Sequence, residues 1–247
     1  MENPTYIALS RLDTQQRTMD VIANNIANAN TAGFRASRTV FNDYLSQQHG
    51  VQAPPGAKTL SYTQDRATYL DRTEGSFTKT DNPLDMAIGG DGFFTVQTPN
   101  GMRLTRCGEF GLLADGRIAD SAGNLLLDNA GSPMQVAPGD TDIRLAADGT
   151  MTTENGRVGT VGVVTVADSN RLVAEGGKMF RADTDTTAAA APKLVQGMIE
   201  NSNVQPMTEL TRMLQTQRDF QFVSQFVDSE AERQQGAIDK LTQSAGA

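Results

Sequence analysis

A mostly apolar stripe recurs at alternating steps of three and four residues near both ends of the chain. Its positions are Ala8, Leu12, Gln15, Met19, Ile22, Ile26 and Ala29 near the start, and Leu210, Met213, Gln217, Phe220, Ser224, Val227, Ala231, Gln234, Ile238 and Leu241 near the end. This spacing is typical of helices that pack along a seam. Because a helix cannot bury its own narrow apolar stripe, each helix needs a partner. The pattern predicts two terminal helices that pair as a coiled coil with each other, with other chains, or with both.

Short apolar runs separated by turn signals fill the middle of the chain. The runs lie at residues 93–96, 125–127 and 161–166, and the turn signals at 99–101, 115–116, 123–124, 131–133, 148–149 and 155–156. Brief strands joined by Gly-, Asn- and Pro-containing turns are typical of antiparallel sheets. We therefore expect a central, mainly antiparallel β domain, with a low-complexity loop at residues 183–193 near its end.

These patterns predict an α+β fold in three parts. Residues 1–35 and 205–247 form the terminal helical domain, residues 36–68 an extended connector that contains Pro54-Pro55-Gly56, and residues 69–204 the central β domain. Since the ends of a domain commonly lie close together, the terminal helices are expected to pair and to extrude the β domain. One such helix pair is marginal in water, so further stability should come from neighbouring chains.

Composition and charge restrict the possible partners. The 247 residues carry a net charge of −8, which argues against nucleic acid, because phosphate binding needs clustered Lys and Arg. No apolar run approaches the ~18 residues of a membrane-spanning helix. The first residues lack the basic and apolar parts of a signal peptide, so neither membrane insertion nor a cleaved signal is expected. A single cysteine, Cys107, excludes an intrachain disulfide and a cysteine-only zinc site.

Residue patterns typical of enzymes are missing from the sequence. His49, the only histidine, lies in the connector, and none of the common hydrolase, zinc-protease or P-loop motifs is present. Residues 89–94 are Gly-rich but precede a strand, which favours a tight turn over a phosphate site. Asp81, Asp85 and Asp91 lack the spacing of a calcium loop. A secreted hydrolase that uses these three carboxylates is the alternative from another class. We expect no cofactor, metal or small-molecule substrate.

Asparagines cluster near the end of the first helix, although Asn is a poor helix former. Their amides suit hydrogen bonding across a polar helix interface better than exposure to solvent. The following glycine and phenylalanine supply helix-ending chemistry, a left-handed residue and a ring that packs back on the last turn. Together with the seam, they give the predicted interface residues: Leu12, Met19, Ile22, Asn24, Asn25, Ile26, Asn28, Gly33, Phe34, Leu210, Met213, Gln217, Phe220 and Val227.

Three separated segments resemble the bacterial flagellar basal-body rod and hook proteins. Residues 21–35 read VIANNIANANTAGFR, similar to that family's A-N-N-x-A-N-x-x-T-x-G-F-[KR] signature. Residues 75–110 contain TDNPLD, GDGFF and TRCGEF, and residues 196–204 read QGMIENSNV, followed by Gln217-Arg218. Each of these is similar to a family element, and they occur in the family's order, so the resemblance extends over nearly the whole chain.

The resemblance implies a structural, non-enzymatic subunit of the flagellar basal-body rod, part of the shaft that transmits torque. The size and residues 1–6 look most like the proximal-rod type, with a distal-rod or hook-type axial protein as the alternative. It also implies that the terminal helices pack with axial neighbours and copies of the same chain in a periplasmic rod. The chain would arrive there unfolded, through the flagellar type III export apparatus.

Limited proteolysis of the purified chain tests this organisation. We expect a largely monomeric protein whose first ~30 and last ~40 residues are cut first, because helices without partners open readily, while a core from about residue 70 to about 195 survives. A free-standing oligomeric coiled coil would instead be helical and self-associated. Protected termini, measured by mass spectrometry, would therefore contradict the rod interpretation.

Overall fold

A computed structural model of the chain describes residues 3–46, 60–168, 171–176 and 178–245. These residues form two α-helices and eighteen β-strands in an α+β fold, as predicted. They divide into two compact units, one made of residues 1–26, 37–69 and 205–247, the other of residues 27–36 and 70–204. His49 and Pro54-Pro55-Gly56 of the predicted connector lie outside the described residues. Within the described part of the chain, no helix is long and apolar enough to cross a membrane.

The first unit contains both helices and a two-stranded sheet. Its elements are α1 (Asn3–Ala27), β1 (Ser37–Ser46), β2 (Leu60–Leu70) and α2 (Pro206–Ala245), and β1 pairs with β2. Helix α1 ends directly before the Asn-rich residues 28–30, whose side chains compete with helical backbone bonds. Helix α2 begins at Pro206, where the missing N–H has no helical partner to lose. The side chains of Ile238 and Leu241, near the end of the predicted stripe, lie outside the described residues.

The second unit is built from short strands. They are β3 (Phe77–Lys79), β4 (Met86–Gly89), β5 (Phe93–Thr98), β6 (Gly101–Thr105), β7 (Phe110–Leu112), β8 (Ile118–Asp120), β9 (Leu125–Leu126), β10 (Arg144–Leu145), β11 (Thr150–Thr153), β12 (Gly156–Thr160), β13 (Val163–Val166), β14 (Leu172–Glu175), β15 (Met179–Ala182), β16 (Thr186–Ala188), β17 (Lys193–Gln196) and β18 (Met198–Glu200). The largest sheet has the order β14-β15-β6-β5-β9-β8-β7, and β13 pairs with both β5 and β16. Smaller sheets have the orders β10-β11-β12, β17-β4 and β18-β3.

Turns predicted from the sequence join successive strands of this unit as antiparallel hairpins. Strands β5 and β6 meet at Thr98 and Gly101, and Gly101 has a φ of 99°, which glycine adopts without steric cost. Strands β10, β11 and β12 are joined in the same way at the two predicted turns near residues 148 and 155. The mainly antiparallel β domain is therefore confirmed. The prediction of a loop at residues 183–193 was wrong in part, because β16 lies there and pairs with β13. Local composition gives no clue to this pairing.

Alternating side chains of β5 enter two different apolar clusters. Phe94 belongs to the main cluster and lies edge-on to Phe110 at 5.5 Å, whereas Phe93 packs on the second cluster and lies edge-on to Phe180 at 5.6 Å. Successive residues of a strand point to opposite faces, so the Phe93-Phe94 pair supplies both clusters. The main cluster contains Leu84, Met86, Ile88, Phe94, Val96, Phe110, Ile118, Leu126, Met134, Val136, Ile143, Met151, Val161, Val163 and Leu194. Strand β5 is also the middle strand of the largest sheet, so both clusters lie against the centre of that sheet.

A buried carboxylate in the second unit binds two buried arginines. Glu200, at the end of β18, is 1% exposed and accepts from Arg106 Nε at 2.7 Å and from Arg35 Nη2 at 2.9 Å. Arg106 also donates to the carbonyl oxygens of Ile88, Gly90 and Gly92, which ties the turn between β4 and β5 to the end of β6. The ion pairs of Glu200 with Arg35 and Arg106 therefore join segments that are far apart in the chain.

Next to the Glu200 ion pairs, two segments of backbone approach each other very closely. Gly33 has a φ of 69° and donates its N–H to the Glu200 carbonyl at 2.7 Å, and a Cβ added there would lie 2.3 Å from the backbone of Arg106 and Cys107. Only glycine fits at such a position. Burial lowers the pKa of the Arg35 guanidinium, and the Glu200 carboxylate opposes that shift. Arg35 keeps its charge because arginine stays protonated in proteins.

The substitution Glu200→Gln tests how strongly the stability of the second unit depends on the ion pairs of Glu200. It should lower the free energy of unfolding of that unit by about 3–5 kcal/mol, because two buried guanidiniums lose their counter-charge. Calorimetric unfolding of the purified chain measures the effect. Glu175→Gln is the matched control, since Glu175 pairs with Arg103 and Arg181 at a partly exposed site and should cost under about 1 kcal/mol. Equal losses of stability in the two variants would contradict the role given to Glu200.

Candidate assembly interface

Helices α1 and α2 pack together in an antiparallel pair. Asn25, in the last turn of α1, contacts Glu209, in the first turn of α2. Nearer the other end of α1, Ala8 lines the same cavity as Val223. Since residue numbers fall along α1 as they rise along α2, the two helices run in opposite directions.

Asn25 joins α1 to β1 through its side-chain amide. Its Nδ2 donates to the Ser37 carbonyl oxygen at 2.9 Å, and its Oδ1 accepts from the Ser37 N–H at 2.9 Å. The same Nδ2 lies 3.5 Å from Glu209 Oε2. Asn25 is fully buried, so these bonds replace the water that the amide loses. An Asn at this helical position is thus used for a contact, despite its low helix propensity.

Glu209 is a buried carboxylate with two arginine partners. It is 1% exposed, and its Oε1 accepts from Arg38 of β1 at 2.5 Å and from Arg212 of α2 at 3.1 Å. The residue lies in the first turn of α2, where the helix dipole favours a negative charge. Asn25, Arg38 and Arg212 together satisfy the carboxylate, so its burial is not left uncompensated.

The stripe of α2 that is turned away from solvent shares every second position with the predicted seam and is shifted by one residue at the positions between. We name it the inner stripe: Glu209, Met213, Thr216, Phe220, Val223, Val227 and Glu230, all buried or half-buried. Met213, Phe220 and Val227 belong to both the inner stripe and the predicted seam. Leu210 and Gln217 are exposed instead, and the inner stripe has Glu209 and Thr216 in their stead. Both sets advance by steps of three and four, so periodicity alone does not distinguish them.

The predicted residues of the first helix and of the segment after it have different surroundings. Ile22 and Asn25 are buried, Leu12, Met19, Ile26 and Asn28 are half-buried, and Asn24 is exposed. Gly33 and Phe34 are buried in the second unit, where Phe34 packs with Ala36 and Val204. Contacts of these residues with a further chain stay a prediction.

Arg38 and Glu209 were missed by sequence reasoning. A signal for Glu209 was present, since it lies seven residues before Thr216 and fourteen before Val223, in the period of the helix seam. Because Glu209 and Thr216 are polar, the adjacent stripe through Leu210 was the better candidate for an apolar seam. Arg38 had no signal of its own, because its partner lies 171 residues away in the sequence.

Two apolar grooves flank the contact between the helices. Groove A is lined by Ile7, Ala8, Arg11, Phe222, Val223 and Phe226 around a cavity of about 300 Å³. Groove B is lined by Tyr6, Leu9, Ser10, Leu12, Asp13, Gln16 and Phe220. Arg11 and Asp13 are two residues apart, hence about 200° apart around α1. The grooves therefore open on opposite edges of the helix pair.

Several large apolar side chains on these helices remain exposed to solvent. Phe222 is 74% exposed, Leu9 58% and Tyr6 57%. Met207, Leu210 and Leu214 form another exposed patch on α2. Scattered single apolar residues are normal on a protein surface, whereas contiguous patches mark binding sites. The helix pair thus has the surface of a protein that binds further chains.

The three carboxylates of the hydrolase alternative and Cys107 do not form a reactive group. Asp85 is buried and accepts from Asn82, whereas Asp81 pairs with Lys79 and Asp91 with Arg72 at the surface. Burial raises the pKa of the Cys107 thiol, which disfavours the reactive thiolate. The guanidinium of Arg106, the preceding residue, binds Glu200. Over the described residues, no cluster of potential metal ligands occurs.

Models of three protein families match separate parts of the chain. "Flagella basal body rod protein" matches residues 6–35, which include most of α1. "Flagellar hook protein FlgE/F/G D1 domain" matches residues 87–166 in the second unit. "Flagellar basal body rod FlgEFG protein C-terminal" matches residues 195–239, which include most of α2.

Curated proteins are similar to the chain over nearly its full length. The flagellar basal-body rod proteins FlgF of Caulobacter vibrioides and of Mesorhizobium japonicum are each 33% identical over 98% of both chains. The flagellar basal-body rod protein FlgG of Bacillus subtilis is 31% identical over 92% of this chain and 94% of its own. All three are rod proteins by name.

Replacing Asn25 by Ala tests the contact between α1, β1 and α2. Loss of the two bonds to Ser37, with Glu209 left less well paired, should cost about 1–3 kcal/mol of local stability. Pulsed hydrogen exchange should then be roughly ten- to a hundredfold faster in α1 and at the start of β1. Asn24→Ala is the control, because Asn24 is exposed on the same helix. Equal exchange in the two variants would contradict the role given to Asn25.

Proposed function

The chain belongs to the flagellar basal-body rod protein family, and on this premise we propose how its terminal helices build the rod. It is a FlgF-like structural subunit of the basal-body rod in bacterial flagellar motility, and it is not an enzyme. Such a subunit assembles with other axial proteins of the flagellum. The proposals that follow concern which surfaces make those contacts and how the chain reaches them.

The terminal helices form a coiled-coil-like pair that belongs to the axial core of the rod. The three-four spacing of the inner stripe and the antiparallel contact between α1 and α2 support this proposal. One pair buries only part of its apolar surface, which leaves Phe222, Leu9 and Tyr6 largely exposed. These exposed side chains are the observation that carries the proposal, because a stable assembly would cover them.

Groove A of one subunit binds the edge of a neighbouring subunit that carries groove B. Where two copies of this chain adjoin, that neighbour is the second copy. The two grooves differ in their residues and lie on opposite edges, so the contact is heterologous. Heterologous contacts propagate into rings or helices instead of closing into a dimer. That geometry suits a shaft.

Charge supports the same pairing of edges. Arg11 lies at groove A and Asp13 at groove B, and both side chains are exposed. Opposite charges at two surfaces that meet favour the correct orientation and disfavour contacts between like edges. Asp13 pairs with Arg17 of the same helix at 3.2 Å. This exposed pair contributes little and can exchange partners.

The exposed patch of Met207, Leu210 and Leu214 contacts an axial neighbour. It lies on a face of α2 other than the inner stripe, and Leu210 and Leu214 continue the helical spacing from Met207. In this arrangement the predicted seam residue Leu210 serves a contact between subunits, while Glu209 beside it serves the contact with α1. The neighbours above and below are other rod proteins.

The chain reaches the rod through the flagellar type III export apparatus. This proposal rests on family membership and on the partial burial of the helix pair. Helices that gain much of their stability only from neighbours do not polymerise before they arrive, since ordering them is offset only by partner contacts. The proposal also includes the division of the chain into terminal helical, connector and central β parts, with boundaries after residues 35, 68 and 204.

The substitution Phe222→Asp tests groove A as an assembly surface. Because Phe222 is 74% exposed, the isolated chain should fold as before, whereas a charge in the contact should prevent rod assembly. A strain that carries only this variant should lose swimming in soft agar. Gln221→Asp is the matched control, since it adds the same charge at an adjacent exposed residue that lines neither groove. Normal swimming of the Phe222 variant would overturn the proposal.

A further inference from the structure

Gln15 places a polar side chain on the inner face of α1. The residue is 8% exposed, and its Oε1 is buried without a hydrogen-bond donor. The adjacent Gln16 differs, because it is exposed and donates to Asp20 at 3.4 Å. A buried acceptor that lacks a partner loses its bonds to water without replacement, and each such group in a protein needs a reason.

The position of Gln15 along the helix pair explains the missing donor. From Asn25, which contacts Glu209, Gln15 lies ten residues back along α1 and Phe220 eleven residues on along α2, about 15 and about 16 Å along the antiparallel axes. Gln15 therefore lies near the level of Thr216 and Phe220. The Thr216 hydroxyl donates to a carbonyl oxygen of its own helix, and the Phe220 ring offers no conventional donor. An apolar residue would suit this level better than an amide.

Most other polar residues on the inner faces of the two helices have partners, although Thr5 Oγ1 near the start of α1 is also buried without one. Asn25 binds Ser37 and Glu209, and Glu209 binds two arginines. The hydroxyls of Thr18 and Thr216 donate to carbonyl oxygens of their own helices, at 2.8 and 2.9 Å. These contacts let the pair form, whereas the orphan oxygen of Gln15 opposes it. The two kinds of polar residue therefore act on the pair in opposite directions.

We propose that Gln15 limits the stability of the α1–α2 pair and so keeps α1 detachable from α2 until neighbouring subunits cover the grooves. In the detached state water satisfies the amide, which favours opening. Once neighbours pack on both edges, their contacts outweigh the penalty. The benefit to assembly rests on the function proposed above, whereas the effect of Gln15 on the pair itself does not.

Hydrogen exchange of the purified full-length chain tests this role. Gln15→Leu removes the orphan oxygen at nearly constant volume, so amides of α1 and of the facing part of α2 should exchange on the order of ten- to a hundredfold more slowly than in the native chain. Gln15→Met is the second variant, with a more adaptable side chain in case Leu does not fit. Gln16→Leu is the matched control and should change exchange less than about threefold.

The outcomes separate this role from the proposed function. Slower exchange in either Gln15 variant, with the Gln16 variant unchanged, supports the inference. Unchanged or faster exchange in both Gln15 variants overturns it, since the amide would then stabilise the pair or have no effect on it. An equal slowing in the Gln16 variant also overturns it, because added apolar surface would be the cause. Swimming is not part of this readout, so a failure of groove A would leave the result intact.

Discussion

The carboxylate of Glu209 is the point around which the first unit is organised. A negative charge removed from water is costly unless it is paired and hydrogen-bonded, so its burial forces Asn25, Arg38 and Arg212 to converge on it. Those partners come from the end of α1, the start of β1 and the first turns of α2. One buried charge thereby fixes which ends of the two helices meet.

The second unit uses the same physical device with different residues. Glu200 takes Arg35 and Arg106, and Arg106 in turn holds three carbonyl oxygens between β4 and β5. Buried ion pairs of this kind are a poor source of net stability compared with apolar packing, but removing one partner is severe. Their value here is geometric, since an arginine with fixed donors accepts only one arrangement of the segments around it.

The contact between the helices includes polar residues along a narrow stripe, namely Gln15, Thr18, Thr216 and Glu209. The second unit also buries polar groups, among them Arg106 and Glu200, but it has a large apolar cluster beside them. A seam of that polarity holds two helices in one orientation without making them very stable. The remaining apolar surface lies in the grooves at the edges of the pair. That surface is available for the contacts with other subunits that we propose.

The sequence by itself determined the local features of this protein. Helical periodicity at the two ends, the end of α1 before the Asn-rich run, the turns of the antiparallel hairpins and the family signature all depend on residues near one another in the chain, and they could be predicted. Local pattern also indicated that an asparagine near residue 25 makes a polar contact, although not with which partner.

Only the tertiary structure decided the features that depend on distant residues. The pairing of β1 with β2 and of β13 with β16, and the binding of Arg38 to Glu209, join segments that carry no local signal for each other. The inner stripe of α2 is the clearest case, since the stripes through Glu209 and through Leu210 have the same period. The choice between them was made by the partners of Glu209, because a buried carboxylate must lie where its arginines and its amide can reach it.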